Sequence, residues 1–309
     1  YSNTTGNYNT ASGYNSLYSN TTGNYNTASG YNSLYSNTTG DHNTASGIQS
    51  LYSNTTGDYN TASGWYSLKS NTTGTRNIAM GYGALAGQDT ENDNLAIGFD
   101  ALGGSIAGGE FNVAIGNYSL DAATSGDNNT ATGYDALTGN TTGADNTALG
   151  YDAGDVITTG SQNTIIGSGA DPSANSASNQ TVIGYGATGH GNNITVIGNT
   201  STTAWHPADD NGVDLGSSSY EFKDLYVDGT AYLDAISIAG TITPSSDDTY
   251  SLGSSSYQFD NLYVDGTTNV DAVSLGGNII PVTDDSYDLG SSSYQFDDLY
   301  VDGVANLDA

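Results

Sequence analysis

The chain is built on a short alternation of small, polar and apolar residues that returns every 17 positions. Residues 1–17, YSNTTGNYNTASGYNSL, recur unchanged at 18–34, then with drift as YSNTTGDHNTASGIQSL, YSNTTGDYNTASGWYSL and KSNTTGTRNIAMGYGAL. One glycine keeps the phase: Gly13, Gly30, Gly47, Gly64, Gly81, Gly98, Gly116, Gly133, Gly150, Gly167, Gly184 and Gly198. The step is 17 throughout, except 18 before Gly116 and 14 before Gly198. Most of these glycines close an Asn-x-Ala-x-Gly signature, as in NTASG from Asn9, NIAMG from Asn77, NLAIG from Asn94, NVAIG from Asn112 and NTALG from Asn146. Strand alternation places the two x residues on one face and Asn, Ala and Gly on the other. In the middle copies the x face is apolar (Ile78 and Met80, Leu95 and Ile97, Val113 and Ile115), whereas in the first four it is Thr and Ser. With that face read as the inner one, the Thr-rich copies bury little hydrocarbon.

A second short segment, such as Tyr14-Asn15-Ser16-Leu17, follows the glycine, and Asn3-Thr4-Thr5-Gly6 supplies turn residues. The density of Asn, Thr, Gly and Ser disfavours helix. Two short strands and two turns in 17 residues predict one coil of a parallel β-solenoid, whose core forms only when coils stack. At about 4.8 Å per stacked strand, the twelve coils of residues 1–201 extend roughly 55 Å. Such a coil has a thin core, so association of several chains is expected to supply the missing burial.

From about residue 202 the period changes to 37, marked by Pro207, Pro244 and Pro281 and by Gly216, Gly253 and Gly290. The repeated block reads DLGSSSYEFKDLYVDG from Asp214, SLGSSSYQFDNLYVDG from Ser251 and DLGSSSYQFDDLYVDG from Asp288. Leu225 and Val227 alternate as a strand does, Asp228-Gly229 marks a hairpin turn, and Tyr232 to Ile238 reads as the return strand. Residues 202–309 are therefore expected to form three hairpin-rich β repeats, the last one truncated. With no initiator Met and a final repeat that stops at Asp308-Ala309, both ends read as excerpts of a longer fibre.

Composition changes this picture in two ways. Apolar residues make up 35% of the 309 positions and the net charge is −30, values that would suggest disorder in a chain without repeats. The three cations, Lys69, Arg76 and Lys223, stand against 33 acids, so no basic nucleic-acid footprint exists and anionic membranes are not attracted. No run of about 18 apolar residues offers a spanning helix. There is no cysteine, and hence no disulfide or thiolate chemistry. A rod this acidic repels its copies and stays unbundled, and it suits a saline exterior that screens the repulsion.

The coils, especially NVAIGNYSL from Asn112 and TVIGYGA from Thr181, resemble the head repeats of trimeric autotransporter adhesins. That resemblance implies a parallel β-roll, three chains to a head, that binds host surfaces. The family's usual period is nearer the single 14-residue step than the 17-residue one, which implies longer turns here. The LGSSSYxFxxLYVDG block, and arrays such as NTASGYNSLYSNTTG, resemble repeats of bacteriophage tail fibres and related virion appendages. Together the resemblances imply an elongated, homotrimeric shaft on the virion surface. It would be joined to other tail or capsid proteins and hold a receptor-binding part, outside this sequence, toward a bacterial glycan or protein. The alternative is a bacterial surface adhesin of the autotransporter type.

Candidate chemistry is sparse. His42, His190 and His206 fall in different units, and His42 occupies a slot that holds Tyr8, Tyr25 and Tyr59 elsewhere and Arg76 later, as a tolerant surface position would. No nucleophile elbow, zinc spacing or phosphate loop is present, and glutamate is limited to Glu91, Glu110 and Glu221. The sequence is read as a non-enzyme with no cofactor. Acidic turns leave a structural Ca²⁺ open: Asp210, Asp247 and Asp284 are followed by Asn211, Asp248 and Asp285, and Asp209, Asn211 and Asp214 surround Gly212. Turn propensity of Asp and Asn explains the same residues without a metal. Two aromatic columns, Tyr1, Tyr18, Tyr35, Tyr52 and Tyr14, Tyr31, Trp65, Tyr82, Phe99, either stack on themselves or offer platforms to sugar rings. The pairs Thr4-Thr5, Thr21-Thr22, Thr38-Thr39 and Thr55-Thr56 form rows of the kind found on ice-binding solenoids, a minor alternative. Asn3, Asn20, Asn37, Asn54, Asn71 and Asn140 lie in N-x-T sequons, relevant only to a glycosylating secretory route.

Overall fold

The fold was analysed in a computed structural model that describes residues 3–87, 89–104, 109–206, 215–228, 231 and 302. The chain divides into two units, Tyr1–Ser217 and Ser218–Ala309. The described part of the first is all-β and without helix: twelve three-residue strands, β1 (Thr10–Ser12), β2 (Thr27–Ser29), β3 (Thr44–Ser46), β4 (Thr61–Ser63), β5 (Ile78–Met80), β6 (Leu95–Ile97), β7 (Val113–Ile115), β8 (Thr130–Thr132), β9 (Thr147–Leu149), β10 (Thr164–Ile166), β11 (Thr181–Ile183) and β12 (Thr195–Ile197). They form one parallel sheet in chain order, β1 through β12, which is the signature of a β-solenoid. Register is strict: Ala11 pairs with Ala28 and Ala28 with Ala45, and the 18- and 14-residue steps are absorbed without slippage, Ala96 against Ala114 and Val182 against Val196. Eleven strand spacings give the sheet an axial length of about 53 Å.

Burial runs opposite to the expectation. The central residue of each strand is the inner one, as with Ala28, Ala45, Ala62 and Ala79, and the flanking x residues point outward. Ile78, Met80 and Leu149 remain 41%, 45% and 49% exposed. The coil is too narrow for two branched side chains per strand, so alanine lines the inner face. The apolar volume comes instead from a column of Leu17, Leu34, Leu51, Leu68, Leu85, Leu102, Leu120 and Leu137, buried from across the coil.

That leucine column does not lie on a second strand. Tyr14 to Leu17 and its equivalents form a turn in which Asn15 (φ 57°) and Leu17 (φ 49°) are both left-handed. Asn tolerates that region through local hydrogen bonding, whereas leucine there is strained and is held by its burial. Each coil thus has one strand and a long, tightly wound return. Turning occurs at the phase glycine, φ 139° at Gly47, where a Cβ would be driven into the carbonyl of Gly64 above. This double requirement makes the glycine the most regular letter of the repeat.

Two buried asparagine columns close the coil. In the first, Asn26 Nδ2 donates to the Gly40 carbonyl (2.7 Å) while its Oδ1 accepts from Asn43 N–H (2.9 Å), and the pattern repeats from Asn9 to Asn163. In the second, Asn37 Nδ2 donates to Asn20 Oδ1 (2.8 Å) and to the Gly40 carbonyl (3.0 Å). These amides satisfy turn carbonyls that would otherwise be buried without partners. The turn threonines act alike: Thr21 N–H, Thr22 N–H and Thr21 Oγ1 all donate to the Thr38 carbonyl at 2.9, 3.1 and 2.9 Å.

Residues 215–228 contain no strand among those named, and Leu225 to Val227 are exposed. The expected return strand from Tyr232, the blocks from Ser251 and Asp288, and the prolines at 207, 244 and 281 lie outside the described residues.

Candidate interaction surface

The solenoid presents its chemistry as rows, because every outward position repeats at strand spacing along the axis. The outward strand face carries Thr and Ser on β1–β4 (Thr10, Ser12, Thr27, Ser29 and their equivalents), then aliphatic side chains on β5–β7, then Thr130 and Thr132, and mixed Thr and aliphatic pairs to β12. None of these 24 outward positions is charged.

Aromatic columns border this face. Two positions before the strand, Tyr8, Tyr25, His42 and Tyr59 stack with centroids 4.8, 4.8 and 4.9 Å apart and planes within 11°. Their shared slot is left-handed, φ 59° at Tyr8 and 58° at His42, so the backbone throws each ring outward to meet its neighbour. Two positions after the strand, Tyr14 stacks on Tyr31, Tyr82 on Phe99 and Tyr134 on Tyr151, while Trp65 meets Tyr82 edge-on at 75°. The third column, Tyr18, Tyr35 and Tyr52, stacks at 5.2 Å. Within a stack each ring covers a face of its neighbour, and an open face is left only at the end of a column, as at Tyr8 and Tyr14. A sugar platform needs an open face, so these columns favour self-stacking over sugar binding.

The sequence-derived candidates sort clearly. His42 is an exposed member of a stack and has no carboxylate beside it in that column. His190 lines a cleft of about 470 Å³ at the last coil, with Thr188, Ile197, Asn199 and Thr200. The Thr4-type hydroxyls are used internally, donating to the next coil, so only the second residue of each pair, Thr5, Thr22, Thr39 and Thr56, stands in an exposed row. Further exposed hydroxyl rows lie on the strand face. Among the sequons, Asn20, Asn37, Asn54, Asn71 and Asn140 are buried and hydrogen-bonded, which closes them to glycosylation in the folded chain. Asp210, Asn211 and the equivalent turns lie outside the described residues, and among the described residues no three acidic or histidine side chains converge as metal ligands do.

Electrostatics concentrate on one flank, a feature the sequence reading did not single out. Asp100, Asp121, Asp135, Asp152, Asp155 and Asp171 gather along the turns of successive coils. Burial and then neighbouring carboxylates push Asp121 and Asp135 upward. Asp171 is raised to about 6, by burial first and then by Asp155, with Val156 N–H opposing. Its position in the leucine slot, bridged to Thr188, explains the burial. On the other flank Arg76 pairs with Asp93 through two hydrogen bonds of 2.5 and 2.7 Å, which lowers the Asp93 carboxyl and raises the guanidinium. The signal for the acidic flank was available in the 17-residue phase, which places Asp135 and Asp152 in one slot. No protein-family model and no curated protein matches the chain.

Proposed function

We propose that the chain is a mechanical element, the shaft of a bacteriophage tail or head fibre that holds a receptor-binding end toward a bacterial surface. The observation that carries this reading is the unbroken register of twelve coils, since contacts repeated only between nearest neighbours make a stiff rod whose length follows the coil count. On this reading the rod works as a homotrimer and joins other virion proteins outside the cell. The charge-free strand face supports association, because it is where copies of a −30 chain can approach without opposing carboxylates. Side-chain-resolution electron microscopy of the native assembly tests it: three chains around one axis on a tail or capsid are expected. A single chain per axis, or an assembly seated in a bacterial outer membrane, overturns it in favour of another reading, the latter being the adhesin.

The exposed Thr and Ser rows on β1–β4 favour one second reading, an ice-binding face, because they form a flat, regular hydroxyl array. Thermal hysteresis from the isolated chain would support it, and its absence removes it. The two readings use the same face and cannot both hold.

A further inference from the structure

Five tyrosine pairs are held ring over ring by the coil register. Tyr8–Tyr25, Tyr14–Tyr31, Tyr18–Tyr35, Tyr35–Tyr52 and Tyr134–Tyr151 have centroids 4.8 to 5.6 Å apart and planes within 11°. Backbone bonds fix the partners: Ser19 N–H donates to the Tyr35 carbonyl and Ser36 N–H to the Tyr52 carbonyl, both at 3.0 Å. Tyr8, Tyr14, Tyr25 and Tyr31 are exposed, so a small oxidant reaches them. With 24 tyrosines, one methionine and no cysteine, phenols dominate the side chains open to one-electron oxidation.

We propose that these columns are sites of oxidative coupling, in which dityrosine bonds join neighbouring coils. The oxidant is a hydroperoxide acting through a one-electron peroxidase. Each phenol gives up one electron and its hydroxyl proton to become a phenoxyl radical. The two radicals then form one carbon–carbon bond between the ring carbons ortho to their oxygens. The hydrogens on those carbons move to the oxygens and restore both phenols. In sum, two tyrosines and one hydrogen peroxide give one dityrosine and two waters. Register raises the local concentration of one phenol at the next, so coupling within a chain outruns coupling between chains. His42 interrupts the Tyr8 column and confines its coupling to Tyr8 and Tyr25. Each bond closes a loop of one coil, and the stapled rod resists unwinding. This holds whatever the number of copies in the fibre.

The test treats the dilute full chain with hydrogen peroxide and a haem peroxidase. Dityrosine fluorescence is expected in material that still runs as a single chain on a denaturing gel, with a mass loss of two hydrogens per bond and a raised melting temperature. The variant Tyr25→Phe, Tyr31→Phe, Tyr35→Phe keeps the ring stacks but removes a phenol from four of the five pairs. It should lose most of the fluorescence with an unchanged circular dichroism spectrum. The control Tyr185→Phe, Tyr226→Phe changes exposed tyrosines outside these pairs and should retain it. Full signal in the triple variant, loss of signal in the control, or bonds found only between chains would overturn the proposal.

Discussion

Asn43 is buried, and both ends of its amide reach other coils: Nδ2 donates to the Gly57 carbonyl at 2.7 Å and Oδ1 accepts from Asn60 N–H at 2.9 Å. Removing the amide strands the buried Asn60 N–H and leaves the Gly57 carbonyl with the Asn54 amide alone, at 3.0 Å. Asn43→Ala is expected to cost about 2 kcal/mol in a urea titration, more than a typical surface change by several-fold. Asp171 acts in the opposite sense. Its carboxyl titrates at about 6 in the fold and near 3.9 when unfolded, so the folded state binds the proton more tightly. Stability from this group is present in full below the unfolded value and is lost as pH rises through 6. The melting temperature should therefore be higher at about pH 4.5 than at about pH 7.5, a window that spans the folded-state value. Asp171→Asn should stabilise the chain at the higher pH and flatten the slope. An unchanged slope in that variant would assign it to the remaining acidic flank.

At the scale of the coil, contacts between coils run to the coil directly above or below, so a whole coil is the unit that can be removed. Deleting residues 35–51 joins Leu34 to Tyr52 in the same phase. The shortened chain is expected to keep its circular dichroism spectrum and cooperative melt, with the rod shorter by about 4.8 Å. Deleting 35–50 instead leaves an 18-residue step from Gly30 to Gly64, the length already absorbed before Gly116, and should lower the melting temperature without abolishing the fold. That phase was readable from the glycine and from Asn-x-Ala-x-Gly, and so were the number of coils and their parallel stacking. Alternation also separated the two faces correctly, but it cannot say which is inside. Ile78 and Met80 drew the core toward the wrong face because residue hydropathy carries no information on coil width. The return segment was misread for a related reason: Leu17 carries a left-handed backbone that no leucine advertises, so its slot looked like a strand. Where the coil varies, packing compensates. Gly154 stands in the leucine slot and Ile157 in the asparagine slot, and a Cβ on Gly154 would meet Leu137 Cδ2 at 3.0 Å and Ile157 Cδ1 at 3.3 Å. Gly154→Leu alone should overpack and lower the melting temperature, while Gly154→Leu with Ile157→Asn restores the ordinary coil and should recover most of the loss.

At the scale of the molecule, a charge of −30 and an uncharged strip of aliphatic side chains pull association in opposite directions. The carboxylates flanking the strip repel over about 10 Å at an ionic strength near 0.1 M, and less as salt rises. Burial of Ile78, Met80, Ile97 and Ile115 against another copy gains free energy that salt does not screen. Association should therefore strengthen with added sodium chloride, which sedimentation of the full chain would read as a shift from one to several copies. The chain itself supplies the variant that separates the two terms: Ile78→Thr, Met80→Ser, Leu95→Thr and Ile97→Ser give β5 and β6 the outward residues that β1–β4 already carry. Each protomer should fold as before, since those residues suit the same slots elsewhere in the stack. Fewer copies at every salt concentration would place the association on the strand face. Unchanged association in the folded variant would show that copies meet elsewhere and would leave the strand face to a different partner.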